Sequence, residues 1–436
     1  MSRFFCIAYA VLASTLSTSA AAQTPAQKAQ IDQSAERVDA KVIAWRRDIH
    51  ANPELGNREF RTAKLVAEHL RSLGIEVTSG VAHTGVVGLL RGGRPGRVVA
   101  LRADMDALPV TERNDLPFAS KAKAMWMGQE TGVMHACGHD AHVAILMGVA
   151  EVLAGMKDQI AGTVKFIFQP AEEGAPAGEE GGARLMVKQG VLENPVPEAI
   201  FGLHVSSPLA LGRIGYRAGP LMASSDSFRI LVKGKQTHGA RPWGGVDPIV
   251  IAAQIVLGLQ TIASRQVDVT LEPSIVTVGM IRGGNRSNII PDEVEMVGTV
   301  RAFNEEMRTD IHRRIRQTAE SIAQSAGAQS EVTVNPGYDV TTNHEELTQR
   351  AVGVLREVAG GTNVFVIPKV TGAEDFSAYQ KVIPGFFFFL GVTPKGLAPE
   401  KTGTNHSPLF LVDESALKTG VKALASLTLN YLEAIP

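Results

Sequence analysis

The chain has 436 residues, with 43 Lys+Arg against 44 Asp+Glu and a formal net charge of −1, so it carries no cationic excess with which to neutralise nucleic-acid phosphates. At 44% hydrophobic and 20% charged residues, with a mean hydropathy of +0.05, it is too apolar and too weakly charged for a disordered polymer. The length predicts two or three domains.

Residues 1–22 read as a secretory signal peptide. Arg3 precedes an apolar run over 4–13, and Ala20, Ala21 and Ala22 form a small-residue cleavage site before Gln23. The run falls short of the roughly 20 apolar residues of a membrane span. Cys6 lies inside it and not after a lipoprotein-type cleavage box, and no later stretch reads as a span. The mature chain is therefore expected to be secreted, into the periplasm, with no membrane anchor. Cys137 is then its one thiol, which excludes an internal disulfide.

Beyond the polar stretch 23–33, apolar residues recur at helical spacing over 34–73, and Pro53 and Gly56 divide the run into two helices. Short β-branched segments at 86–90, 98–102, 163–168 and 199–205 read as strands, and 140–154 and 181–189 as helices. Met125, Trp126 and Met127 read as packing residues. Such alternation predicts an α/β fold with a mostly parallel sheet covered by helices on both faces.

Near Ser224 the pattern changes. A strand at 226–233, a helix at 247–264, strands at 274–281 and 293–302, a helix at 305–326 and a strand at 331–335 give the order β-α-β-β-α-β of a ferredoxin-like α+β layer. After Pro336 the first pattern resumes, with a helix from His344, strands at 364–367 and 385–391, and a helix at 413–432. Phe386 to Phe389 read as a buried strand in preference to a pocket lining. The expected organisation is a catalytic α/β domain, 34–223 and 336–436, interrupted by an inserted lid and dimerisation domain, 224–335.

The chemistry gathers at strand ends and one helix start: Asp104 and Asp106, Glu172 and Glu173, His204, and Cys137, His139 and His142. In open α/β sheets ligands collect at the carboxyl ends of strands. Thiolate, imidazole and carboxylate suit a divalent transition ion. An adjacent glutamate pair can divide the work, one carboxylate binding metal and its neighbour serving as general base toward water.

The segments ALRADMDALPV, HACGHDAH, QPAEEG, GLHV, HGARP, SNIIPD, GAEDF and NHSP occur in this order. Through them the chain resembles the M20 metallopeptidase and amidohydrolase family, in the branch of hippurate hydrolases, N-acyl-amino-acid amidohydrolases and plant auxin-conjugate hydrolases. The resemblance implies that Cys137, His139, Glu173, His204 and His406 hold two divalent ions, manganese or zinc in the first place and cobalt or nickel as alternatives. It implies Glu172 as general base and Asp106 as the acid that orients a ligand. His238 would reach a partner subunit's active site and stabilise the oxyanion, and Asn288 and Arg301 would bind the substrate's carboxylate. The implied enzyme is a homodimer, paired through the inserted domain, that cleaves the amide bond of N-acyl amino acids or small peptides.

Cys137 activated by His139 would make a thiol hydrolase, sensitive to alkylation and not to chelation. A non-catalytic binder of amino-acid conjugates would be expected to have lost Glu172 or a ligand, and every expected group is present.

Overall fold

The computed structural model describes residues 23–398 and 401–434, so the signal segment 1–22 lies outside the described residues. The expected polar stretch after it is helical. Thr24 accepts from the Gln27 amide and Gln27 returns the bond to the Thr24 main chain, and this capping box with Pro25 behind it starts the helix Pro25–Ala51 well before Ser34. The second helix of the pair is Phe60–Ser72.

The main sheet has eight strands, in the spatial order Glu76–Val81, Gly85–Arg91, Ala161–Gln169, Arg94–Asp104, Ala199–Ala210, Gly385–Thr393, Ile214–Tyr216 and Val364–Val366. The four central strands are mutually parallel and the flanking ones include antiparallel pairings. Both faces of the central strands are covered, which is why they read as continuous apolar runs. One face packs on Pro25–Ala51, His139–Ala154, Glu345–Ala359 and Leu417–Glu433, and the other on the shorter Gly182–Lys188 and Ser377–Gln380. Phe386, Phe387 and Phe388 are buried in the strand Gly385–Thr393, as expected.

Register brings the reactive strand ends to one level. Asp104 lies opposite Gln169, Arg102 opposite Gly202, and His204 opposite Phe389. The helix His139–Ala154 is buried along almost its whole length and enters through Gly138 at φ +91°. A Cβ at Gly138 would meet Val205 Cγ2 at 2.3 Å, so the tight turn into the site requires glycine on steric grounds as well.

A second sheet joins Ser274–Gly283, Glu293–Ala302, Ser225–Lys233 and Gln329–Tyr338, all antiparallel, in the sequence order 2-3-1-4 of the ferredoxin-like pattern. Its inward residues, among them Phe228, Ile230, Val294 and Met296, form a separate core beneath the helices Pro248–Thr261 and Glu305–Ser325. The last strand runs past its expected end at Asn335 to Tyr338. Pro336, which has no N–H to donate, is tolerated there because the strand is an edge.

Two expectations need correction. The helical stretch Pro248–Gln266 is long and apolar enough to cross a membrane by length and composition, contrary to the reading that no later stretch is. In the structure its Ile251, Ile255 and Leu259 pack into the second core while Val250 and Leu257 face outward. Met125 and Met127, read as packing, are 66% and 90% exposed on the small hairpin Lys123–Trp126 and Gln129–Gly132. Trp126 alone of the three packs, against Leu55, Ala107 and Val133.

Candidate metal centre

Donors from distant parts of the chain meet above the carboxyl ends of the central strands. Cys137 Sγ lies 3.4 Å from His204 Nε2 and 3.2 Å from His406 Nε2. His406 Nε2 is 3.1 Å from Glu173 Oε1. His139 Nε2 stands 3.8 Å from Glu172 Oε2 and 3.9 Å from Glu173 Oε1. Three sets of these residues place their ligand atoms within 4.8 Å of one another: Cys137, His139 and His204; Cys137, Glu173 and His406; and His139, Glu172 and Glu173.

The local bonding leaves the right atoms free. His139 donates from Nδ1 to Asp106 Oδ1 at 3.2 Å, and the other oxygen of Asp106 accepts the Glu173 main-chain N–H at 2.8 Å. One carboxylate therefore orients two candidate ligands. His139 Nε2 is buried and has no hydrogen-bond partner among the described residues, an arrangement that is costly for a polar atom and that a bound cation would relieve. His204 donates from Nδ1 to Val205 O at 2.7 Å, which likewise leaves Nε2 as the lone-pair nitrogen. His142 differs. Its Nδ1 bonds Asp104 Oδ1 at 2.5 Å and its Nε2 accepts from the Val205 N–H at 2.8 Å, so both nitrogens are committed to the scaffold.

The surroundings are strongly anionic. Burial pulls the His139 imidazole down, yet the Asp104 and Asp106 carboxylates push it up to about 10. Burial, then Glu374 and Glu173, hold the Glu172 carboxyl well above its ordinary range. The donor set and the excess of carboxylates together fit two divalent cations.

Beneath the donors lies a network absent from the sequence reading. The buried Arg102 reaches Asp104 at 2.7 Å, Glu374 at 2.8 Å and Asp375 at 2.9 Å, and its Nε donates to Gln169 Oε1 at 2.9 Å. It fixes three strand or loop ends under Glu172. The signal was a lone arginine inside the apolar strand VVALRAD and the acidic pair of GAEDF, but nothing along the chain indicates that they meet.

A cavity of about 650 Å³ opens over the donors. Its walls include Cys137, Glu172, Glu173, His204 and His406, the apolar Leu209, Ile367 and Phe389, and Arg301 and Tyr338 from the second sheet. Phe389 is thus both a strand residue and a wall. Arg301 donates to Thr299 Oγ1 at 2.5 Å and to Val300 O at 3.0 Å, and it has no carboxylate partner among the described residues. His238 and Asn288 do not line this cavity. They sit side by side in the part of the chain that forms the second sheet, His238 on the short strand Thr237–His238 and Asn288 in the turn just before its partner strand Ile289–Ile290, with Gly239 N donating to Asn288 O at 2.8 Å, and they flank an exposed hollow with Gln236 and Arg286.

The thiol-hydrolase reading finds no support in this geometry. Burial and the carboxylates of Glu173 and Glu172 push the Cys137 thiol well up, the reverse of an activated nucleophile. The nitrogens beside its sulfur belong to His204 and His406, each also set among candidate metal ligands.

Known proteins resemble the chain along most of its length. Residues 100–430 match the model of peptidase family M20/M25/M40. Thermostable carboxypeptidase 2 of Saccharolobus solfataricus is 43% identical over 401 residues, covering 91% of this chain and 96% of the relative. An N-acetylcysteine deacetylase of Bacillus subtilis is 39% identical over 398 residues, covering 91% and 98%. The crystal structure of a dinuclear metal binding peptidase of the M20 family from Bacillus subtilis superposes with a TM-score of 0.76 at 37% identity, covering 92% of this chain and 100% of that one.

Proposed function

The chain belongs to peptidase family M20/M25/M40 and is a metal-dependent hydrolase of amide bonds, and we propose that its substrates are N-acyl amino acids or dipeptides whose free carboxylate is held by Arg301. The observation that carries this is an arginine with no carboxylate in ion-pair contact among the described residues, in the same cavity as the donor cluster. Its planar fork suits a carboxylate. The names of two relatives, a carboxypeptidase and an N-acetylcysteine deacetylase, are consistent with an amide beside a carboxylate.

In this reading Cys137, His139, Glu173, His204 and His406 hold two ions, manganese or zinc before cobalt or nickel. The ions, when bound, supply Lewis acidity toward the amide carbonyl and acidify a water. Glu172 would accept a proton from the attacking water at a carboxylate oxygen and hand it to the leaving amine. Asp106 keeps the His139 ring in place, and the apolar wall of Leu209, Ile367 and Phe389 receives the acyl group and excludes water.

The wider organisation follows. Residues 34–223 and 336–436 act as the catalytic domain and 224–335 as a lid and dimerisation domain. The exposed Val250 and Leu257, with Ile275 and Ile281 on the free edge strand Ser274–Gly283, are the surface through which two copies pair. Pairing would carry His238 and Asn288 to the partner's cavity. The N-terminal segment directs export to the periplasm.

The test compares hydrolysis of an N-benzoyl amino acid with that of its carboxamide. Loss of the carboxylate is expected to lower kcat/KM by on the order of 100-fold in the parent enzyme, and Arg301→Ala should abolish the preference. Equal rates on both compounds would contradict the proposal.

A further inference from the structure

We propose that Asn405 is a positioning residue that fixes three of the candidate metal donors at once; this rests on the reading of Cys137, His204 and His406 as ligands. Its Nδ2 donates to Cys137 O at 3.0 Å and to Val205 O at 3.1 Å, and its Oδ1 accepts from Ser207 N at 3.2 Å and Ser207 Oγ at 3.3 Å. One side chain therefore clamps the turn before helix His139–Ala154 to the strand Ala199–Ala210, from the loop that carries His406.

The chemistry of these partners admits only an amide. Two main-chain carbonyls can only accept, and the Ser207 N–H can only donate, so the side chain must present two N–H donors on one side and an oxygen on the other. Val205 O is shared with His204 Nδ1, the bond that leaves His204 Nε2 facing Cys137 Sγ. The next residue, His406, has φ +72°, an unfavourable conformation for a residue bearing a side chain. It is held there by its own N–H to Ala136 O at 2.8 Å and by the Asn405 clamp. Asn405 makes no hydrogen bond to His139, Asp106, Glu172 or Glu173, so it acts on the donor set through Cys137, His204 and His406 alone.

The experiment titrates Mn²⁺ into metal-free protein by calorimetry, for the parent chain, Asn405→Ala and Asn405→Asp. The parent is expected to take two ions. In both variants the Kd of at least one ion should rise about 10- to 100-fold, with the melting temperature of the metal-free protein little changed. Asn405→Asp should be at least as damaging as Asn405→Ala, because it turns an oxygen toward two carbonyls. A residue that merely fills space predicts the opposite order, since Asp keeps the shape of Asn. Unchanged affinities for both ions, or Ala more harmful than Asp, would overturn the proposal. Should a variant fail to fold, Ser207→Ala, which removes one donor to Oδ1, carries the test in the same direction with a smaller shift, and no shift there overturns it. A parent chain that binds fewer than two ions would instead refute the metal reading itself.

Discussion

The hydroxyl of Tyr338 donates to the main-chain carbonyl of Glu172, joining the last strand of the second sheet to the loop that carries the proposed base. Ser225 and Tyr338 are paired where the chain enters and leaves the second unit, so a change in the angle between the units would be felt at Glu172. Tyr338→Phe removes this bond and little else. We expect kcat to fall roughly 2- to 10-fold, the worth of one net hydrogen bond, with both ions retained. Stopped-flow turnover with metal analysis checks this, and an unchanged kcat would remove Tyr338 from the account.

Glu172→Gln keeps the shape of the side chain and deletes its basicity. Turnover should drop by at least about 100-fold while the metal content stays at the parent value. Substantial residual activity would show that another group moves the proton.

His238 lies outside the cavity of its own chain. Mixed dimers of His238→Ala and Glu172→Gln subunits should regain activity, because one of the two sites then holds an intact Glu172 and receives an intact His238. Assay of refolded mixtures tests this, and no recovery at any ratio would contradict action across the interface.

Asp226 accepts from Arg308 Nη2 at 2.6 Å and from His312 Nε2 at 2.8 Å, and Arg308 also reaches Asp339 at 2.6 Å. Arg308 thereby ties both crossings between the units. Burial pulls the Asp226 carboxyl upward, but the His312 and Arg308 bonds outweigh it and hold it at about 2. A depressed carboxyl stabilises the fold above its unfolded value near 4, and that contribution is lost as pH falls from about 4 through 2. Asp226→Asn should cost about 3 kcal/mol at neutral pH and flatten the acid limb of the stability curve. Chemical denaturation at pH 7 and pH 3 measures both effects.

Much of this molecule was legible along the chain, and the exceptions have physical causes. The central strands and the helix His139–Ala154 are buried on both sides, so their apolar runs are unambiguous. The strand Glu76–Val81 escaped because it is a mostly exposed edge with no apolar alternation. The start of the first helix was hidden in a polar segment that only its capping box explains. At the site, Cys137, His139, Glu173 and His204 announce themselves by chemistry and His406 by the family resemblance, and the structure brings the five together. Arg102, Glu374, Tyr338 and Asn405 did not, since their meaning lies in partners up to some hundreds of residues away. Asn288 and His238 lie apart from the cavity, where the short strands Thr237–His238 and Ile289–Ile290 pair beside a separate exposed hollow.

The central claim is that five side chains hold two cations, and metal analysis of the purified, fully loaded protein tests it most directly. Two transition ions per chain are expected, falling below two in Cys137→Ala and in His406→Ala, with hydrolysis abolished by chelation and restored by added ion. A chain that carries no stoichiometric metal and remains active in chelator would contradict it.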